Sequence, residues 1–186
     1  MEIRKVKIKG VEYTILDKYY RTPGSFNQRL VLEKDSKNIV LEEKCYFYLL
    51  LLNKKKYWAK VNISLTEATR EFERGSKYNS IKIESSNFTI SNVFHIVRDA
   101  NVILLEYLED YTNYVNLDSS YTNDKPIIKN AIKEWFKKSN IDFYDLSVNN
   151  ILVKKQDQKL DIRLIDFAEA PDKNNSWCLN NIDIIL

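Results

Sequence analysis

The sequence predicts an α+β protein, with a first half built mainly from antiparallel strands and a shorter, mostly helical second part. Two patterns in the 186 residues support this prediction. Short β-prone runs separated by polar turns recur as far as residue 108, and the clearest amphipathic helix begins near residue 124. A chain of this length is expected to fold as a single domain with a sizeable core.

The early strands are expected where apolar and β-branched residues cluster between turns. Residues 11–16, 30–33 and 39–41 form such runs, and the stretch 21–25 between the first two is rich in turn residues. The strongest hairpin follows, because residues 45–52 and 57–61 are aromatic and apolar and flank a polar turn at 53–56.

A helix is expected after this hairpin. Ser64 and Glu67 have the spacing of a capping box, and Gly75 is expected to end the helix. Its predicted apolar face consists of Leu65, Ala68 and Phe72. Further strands are expected at residues 81–83, 88–90, 93–97 and 102–108, and the polar, acidic residues 109–123 are interpreted as a linker or short helix.

The second long helix has clear boundaries in the sequence. Asp124 is expected to cap it, Pro126 lies in its first turn and Asn140 ends it. One apolar stripe runs along it, formed by Ile127, Ile128, Ala131, Ile132, Trp135 and Phe136. A hairpin should follow, with strands at 151–153 and 162–165.

The composition excludes several kinds of site. His95 is the single histidine, which excludes multi-histidine zinc sites, and the three glycines, Gly10, Gly24 and Gly75, lie too far apart to form a GxGxxG or Walker-type loop. Cys45 and Cys178 stand far apart, which favours structural thiols in a reducing compartment. The longest apolar run is too short to span a bilayer, and no apolar signal segment begins the chain, so a cytoplasmic protein is expected.

Three oxygen-bearing side chains form the most informative pattern. Asp145 and Asn150 lie five residues apart on a loop that leads into a strand, and Asp166 ends the partner strand. Because a hairpin returns that strand end to the loop, the three side chains should converge. Carboxylate and amide oxygens suit Mg²⁺, which would bridge the phosphates of a nucleotide.

The order of these residues resembles the protein-kinase-like superfamily, with its D-x-x-x-x-N catalytic loop followed by a D-F-G metal motif. The resemblance implies that Asp145 orients or deprotonates an acceptor hydroxyl, while Asn150 and Asp166 hold Mg²⁺. It also implies a two-lobed kinase-like fold in one domain over residues 1–186. The β-rich N-lobe would cover 1–108, the linker 109–123 and a truncated, mostly helical C-lobe 124–186.

Weaker matches to the same superfamily lie upstream. Residues 57–60 resemble its V-A-I-K strand, which makes Lys60 the phosphate-contacting lysine. Glu71 is the preferred ion-pair partner of Lys60, because it lies between apolar positions of the helix, and Glu67 and Glu73 remain alternatives. A third match, at residues 105–108, resembles the hinge, so the backbone of Glu106, Tyr107 and Leu108 would bind the adenine of ATP.

Several positions depart from the superfamily pattern. No glycine-rich phosphate loop precedes the strand at 45–52, where residues 42–44 are Glu-Glu-Lys. Phe143 replaces the histidine of the H-x-D triplet, which removes a structural hydrogen bond, and Tyr144 directly precedes Asp145. Ala168 stands in place of the glycine that follows Asp-Phe.

The most compact members of the superfamily give the nearest resemblance. Only 18 residues follow Ala168, so we expect no activation segment and no helices for protein substrates. This resembles lipopolysaccharide-core sugar kinases, YrbL-type proteins and miniature effector kinases of bacteria. The implied activity is ATP- and Mg²⁺-dependent phosphoryl transfer to a hydroxyl of a small molecule or saccharide, including a lipopolysaccharide-type sugar.

Two alternatives to this activity remain. A pseudokinase-like binding or regulatory module with little turnover would explain the absent glycine loop and the short C-lobe. Nucleic-acid binding is ranked last, because the net charge is only +3 and the lysines are dispersed. A protein partner that completes the C-lobe, and peripheral membrane contact through the lysine runs, also remain open.

Overall fold

The computed structural model describes residues 4–21, 30–32, 46–62, 64–141, 144–167 and 175–186. The chain forms two compact units. The first comprises Met1–Glu73 and Phe94–Tyr107, and the second comprises Arg74–Val93 and Leu108–Leu186. Several expected features lie outside the described residues: the turn at 22–25, the run at 39–41, the acidic turn at 42–44, Cys45, Phe143 and Ala168.

An antiparallel sheet of seven described strands forms the first unit. Its order is β1-β2-β4-β5-β9-β8, and β3 pairs with β2 outside this path. The strands are β1 (Lys5–Ile8), β2 (Val11–Arg21), β3 (Leu30–Leu32), β4 (Tyr46–Leu52), β5 (Lys55–Val61), β8 (His95–Asp99) and β9 (Val102–Glu106). The predicted antiparallel sheet is therefore present, with β9 paired on both sides as expected for its continuous apolar sequence.

Two hairpins of this sheet turn through left-handed residues. Lys9 and Gly10 join β1 to β2, with φ of 49° and 79°, and Asn53 and Lys54 join β4 to β5, with φ of 49° and 66°. Positive φ at both central residues is the geometry whose twist matches that of paired strands. The second turn is thus shorter than the expected 53–56, because Lys55 already pairs with Leu52.

Helix α1 (Leu65–Lys77) begins where the sequence predicted. Ser64 Oγ accepts a hydrogen bond from the backbone N–H of Glu67 at 3.1 Å, as an N-cap does. The expected end at Gly75 is wrong, because the helix continues to Lys77 and Gly75 is buried within it. The expected apolar face is also wrong at Leu65, which is 57% exposed.

The second unit contains a mixed sheet of five described strands, in the order β10-β11-β12-β7-β6. These strands are β6 (Lys82–Glu84), β7 (Phe88–Asn92), β10 (Thr112–Asn113), β11 (Ile151–Gln156) and β12 (Lys159–Leu164). β7 pairs with β12 in parallel, and the other pairs are antiparallel. The second unit therefore contains a sheet as well as helices, and β6 and β7, which were expected in the β-rich first part, belong to this sheet.

The expected linker at 109–123 is also part of the second unit. It contains β10 and short 3-10 helices at Tyr114–Asn116 and Ser119–Tyr121. Asn113 Nδ2 donates to the carbonyl of Asn149 at 2.7 Å, which ties this segment to the loop before β11. The second unit thus includes Arg74–Val93, which the sequence had placed in the first part of the chain. These residues belong to it because β7 pairs with β12, a strand far away in the sequence.

Two helices complete the core of the second unit: α2 (Lys125–Ser139) and α3 (Asn175–Ile185). Most of the predicted stripe of α2 is fully buried, and Asn140 ends the helix in the left-handed conformation. Asp124 makes no side-chain cap, because its carboxylate instead accepts a hydrogen bond from Lys155 Nζ at 2.6 Å. No helix among the described residues has the length and apolarity needed to cross a membrane.

Candidate functional site

A buried ion pair is the main polar feature of the first unit. Lys60 Nζ on β5 donates to Glu71 Oε1 on α1 at 2.8 Å, and the two side chains are 6% and 2% exposed. The Lys60 ammonium also lies 6.0 Å from the centre of the Phe47 ring. Since isolated charges are very costly to bury, each member of the pair depends on the other to stay in the core.

The helix period selects Glu71 among the three acids that the sequence left open. Ala68, Glu71 and Gly75 are buried at spacings of three and four residues, which places them on one face of α1. Glu67 and Glu73 are exposed. Glu71 is therefore the acid that contacts Lys60, as preferred from the sequence.

An aromatic cluster lies on the same sheet face as Lys60, and the sequence reasoning did not identify it. We call this the Trp58 cluster: Tyr19, Phe47, Trp58 and Tyr107. Trp58 is two residues before Lys60, so both side chains leave the same face of β5, whereas Ala59 packs in the core on the other face. The Trp58 ring lies 5.4 Å, 6.4 Å and 5.7 Å from the rings of Tyr19, Phe47 and Tyr107. Side chains alternate between the two faces of a strand, so the spacing of Trp58 and Lys60 was the signal in the sequence that could have placed them on one face.

The three expected hinge residues lie at the end of β9. Glu106 ends the strand, and its Oε1 accepts a hydrogen bond from the backbone N–H of Phe94 at 2.7 Å. Tyr107 belongs to the Trp58 cluster, and its ring lies 5.0 Å from Lys56 Nζ. The division between the two units falls between Tyr107 and Leu108. The side chains of Glu106 and Tyr107 are thus engaged within the first unit.

In the second unit, Asp145 and Asn150 are joined directly. Asn150 Nδ2 donates to the backbone carbonyl of Asp145 at 2.9 Å, so the loop closes on itself across five residues. Asn150 is 4% exposed and ends the 3-10 helix Val148–Asn150, just before β11. Since the amide nitrogen is used within the loop, the amide oxygen is the atom of this side chain suited to a ligand.

Asp166 lies beside this loop because β11 and β12 form a hairpin. Ile151 pairs with Leu164, and one residue further the backbone N–H of Ile165 donates to the carbonyl of Asn150 at 3.0 Å. Asp166 itself has φ of 62°, a left-handed conformation that is costly for most residues and tolerated by aspartate. The hairpin therefore brings Asp166 to the same end of the sheet as Asn150, as its position in the sequence indicated.

Tyr144 connects these elements, and the sequence reasoning missed this role. Its side chain is fully buried, and its hydroxyl lies 3.0 Å from the carbonyl oxygen of Asn150 and 2.8 Å from that of Ile165. Its ring packs against Phe167, with 5.0 Å between ring centroids.

The surroundings of Tyr144 raise the pKa of its hydroxyl. Burial raises the pKa of its hydroxyl well above the ordinary value, and the negative charges of Asp166 and Asp145 raise this pKa further. Both carboxylates are therefore close enough to influence the hydroxyl. Tyr144 remains protonated, and hence a hydrogen-bond donor, throughout the physiological pH range.

The side chains that the sequence predicted to converge, those of Asp145, Asn150 and Asp166, carry oxygen atoms of the types found in hard-cation sites. Two carboxylates and an amide oxygen are the ligand types that Mg²⁺ prefers, with water completing its shell. Across the described ranges, no cluster of three or more His, Cys, Asp or Glu side chains is arranged to hold a metal ion.

Comparison of the sequence with protein-family models found no matching family, and comparison with curated proteins found no match.

Proposed function

We propose that this protein is an ATP- and Mg²⁺-dependent phosphotransferase with a two-lobed, protein-kinase-like architecture, acting on a hydroxyl acceptor. The observation that carries the proposal is the arrangement of Asn150, whose amide nitrogen is held by the Asp145 carbonyl at the strand end that bears Asp166. This arrangement offers one amide oxygen and one carboxylate to a cation. The carboxylate of Asp145 would serve the acceptor.

Each side chain would have a distinct part in the transfer. Asn150 and Asp166 would hold Mg²⁺, which supplies charge neutralisation at the nucleotide phosphates when it is bound. Asp145 would orient the acceptor hydroxyl and take up its proton. Lys60 would contact the phosphates, and Glu71 would keep its ammonium group in place through the buried ion pair.

The Trp58 cluster supports nucleotide as the ligand of the first unit. Aromatic faces stack favourably on nucleobases, and this cluster shares a sheet face with the ammonium group of Lys60. A base and a phosphate therefore have complementary partners on one face of the sheet. The backbone N–H of Glu106 donates to the carbonyl of Phe94 at 3.1 Å, so among the expected hinge residues the backbones of Tyr107 and Leu108 would contact adenine.

A saccharide or lipopolysaccharide-type sugar is the acceptor class we propose, because the compact superfamily members that the sequence resembles act on such hydroxyls. The second candidate function is a pseudokinase-like regulatory module. The Glu-Glu-Lys sequence at 42–44 favours it, since an acidic turn without glycine offers a poor phosphate cradle.

Thermal unfolding with ATP, with Mg²⁺, and with both tests the proposal. A ligand at 100 times its Kd stabilises the folded state by about 2.7 kcal/mol, which corresponds to a rise in Tm of roughly 5–10 °C for a chain of this size. We expect this rise only when ATP and Mg²⁺ are both present, and EDTA should abolish it. A shift followed by phosphate transfer to a sugar supports the transferase. A shift without turnover favours the pseudokinase, and no shift at millimolar ATP contradicts nucleotide binding.

A further inference from the structure

Tyr144 lies in the hydrophobic core of the second unit. Its ring packs against Phe136 and Phe167, with centroid distances of 5.7 Å and 5.0 Å. The thiol of Cys178 donates to its backbone carbonyl at 3.4 Å. A phenylalanine would fill the same volume and make the same ring contacts, so the packing alone does not require the hydroxyl.

The hydroxyl has two backbone acceptors and one proton. The carbonyl oxygens of Asn150 and Ile165 lie 3.0 Å and 2.8 Å away, so the single proton is shared between them. These carbonyls belong to the loop and to the end of β12, which are also joined by the Ile165 N–H. The hydroxyl is therefore a bridge between two chain segments that are 15 residues apart in the sequence.

This bridge lies next to three candidate residues of the second unit. Tyr144 directly precedes Asp145, one acceptor is the backbone of Asn150, and the other acceptor directly precedes Asp166. Asp166 adopts a left-handed conformation, with φ of 62°, which aspartate tolerates. A fixed backbone at these three points sets the distances between the oxygen atoms that would meet a cation.

We propose that Tyr144 is the positioning residue of the cation site, its hydroxyl holding Asn150 and Asp166 at the spacing that Mg²⁺ requires. The inference rests on the proposed function. Residues that orient metal ligands typically change metal affinity by 10–100-fold when they are altered. We therefore expect a loss of this size in the dependence of ATP binding on Mg²⁺ when only the hydroxyl is removed.

The test compares Tyr144→Phe with Tyr114→Phe. The Tyr114 hydroxyl also donates to a backbone oxygen, that of Leu186 at 2.9 Å, but it has no part in the candidate site. Tyr114→Phe loses this single hydrogen bond and Tyr144→Phe loses the one shared between two carbonyls, so both should lower Tm modestly. The readout is the ratio of the Kd for ATP in EDTA to the Kd in saturating Mg²⁺, measured by calorimetric titration.

In the wild-type protein and in Tyr114→Phe, Mg²⁺ should strengthen ATP binding by the same factor. In Tyr144→Phe this factor should fall at least tenfold, while the Kd in EDTA stays unchanged. An unchanged factor in Tyr144→Phe overturns the positioning role and leaves the proposed function standing. If Mg²⁺ does not strengthen ATP binding even in the wild type, the proposed function fails and the positioning role fails with it.

A measurement on the wild-type protein covers the case in which Tyr144→Phe does not fold. The Ile165 N–H donates across the bridge, so its hydrogen exchange reports how firmly loop and strand are joined. Adding Mg²⁺ and ATP together should slow exchange at this amide more than ATP alone does. Equal exchange rates under the two conditions overturn the proposal.

Discussion

Breaking the buried ion pair in the first unit should destabilise the protein severely. Lys60→Met leaves the Glu71 carboxylate in a position where it is 2% exposed, and Glu71→Leu leaves the Lys60 ammonium at 6% exposure. Removing one member of a buried pair typically costs 3–5 kcal/mol, because the remaining charge stays desolvated. For a chain of this size the loss corresponds to a fall in Tm of roughly 6–20 °C.

The double variant Lys60→Met with Glu71→Leu should recover most of this loss. Replacing a buried pair by apolar side chains of similar volume is often neutral or stabilising. We expect urea unfolding, followed by circular dichroism, to give a double variant close to the wild type and far above either single variant. ATP should not raise its Tm, because the phosphate-contacting ammonium is gone. Stability and ligand binding are thereby separated in one protein.

The surface pair of Lys5 and Glu12 provides a matched control. Its nitrogen and oxygen are 2.6 Å apart, but the side chains are 53% and 46% exposed. Exposed pairs contribute little, so Lys5→Met should change the free energy of unfolding far less than Lys60→Met. Equal effects at the two sites, or a double variant as unstable as the worse single variant, would refute the burial argument.

Three further predictions concern the second unit. Asp166→Asn should retain the wild-type Tm without ligand, because asparagine also tolerates φ of 62°, but should lose the Mg²⁺-dependent rise in Tm with ATP. Unchanged affinity for ATP with Mg²⁺ would remove Asp166 from the cation site. Asp145→Ala should keep that rise and lower turnover with a sugar acceptor by about 10²–10⁴, as measured by ADP release; full turnover would exclude it as the base. Because the folded-state pKa of Tyr144 is raised, its contribution to stability is fully present below pH 10 and is lost as pH rises through the folded pKa. At pH 10.5 this loss is about 0.8 kcal/mol for an unfolded-state pKa near 10, so urea unfolding should show wild type and Tyr144→Phe closer in stability at pH 10.5 than at pH 7. A constant difference between the two proteins would contradict this linkage.

Local patterns in the sequence were sufficient for most individual elements. The aromatic and apolar runs at 45–52 and 57–61, with a polar turn between them, predicted the β4–β5 hairpin, and Ser64 with Glu67 predicted the start of α1. The position of Glu71 between buried residues also predicted its contact with Lys60. These features depend on neighbours within a few residues along the chain, where side-chain period and capping decide the structure.

Gly75 and Asp124 show where local rules were overruled. Gly75 was expected to end α1, yet it is buried and the helix continues beyond it to Lys77. The carboxylate of Asp124 bonds Lys155 rather than capping its own helix. The carbonyl of Gly75 accepts a hydrogen bond from Asn92 Nδ2 at 3.0 Å, so both residues have a partner from a distant part of the chain. Such contacts offset a local preference worth about 1 kcal/mol.

The grouping of strands into sheets was decided by the tertiary structure. In the sequence, residues 82–92 lie between strands β5 and β8 of the first sheet, but β7 pairs in parallel with β12, about 70 residues later. Parallel partners are joined by long connections, so no turn signal in the sequence marks them. The hydrogen bonds of Tyr144 could not be predicted from the sequence either, because its hydroxyl donates to backbone carbonyl groups, which every residue possesses. Patterns in the sequence singled out the side chains that are proposed to carry the chemistry. The backbone atoms that hold these side chains in place could be identified only in the folded chain. Backbone acceptors are chemically the same at every position, so the tertiary structure alone shows which of them lie near a given side chain.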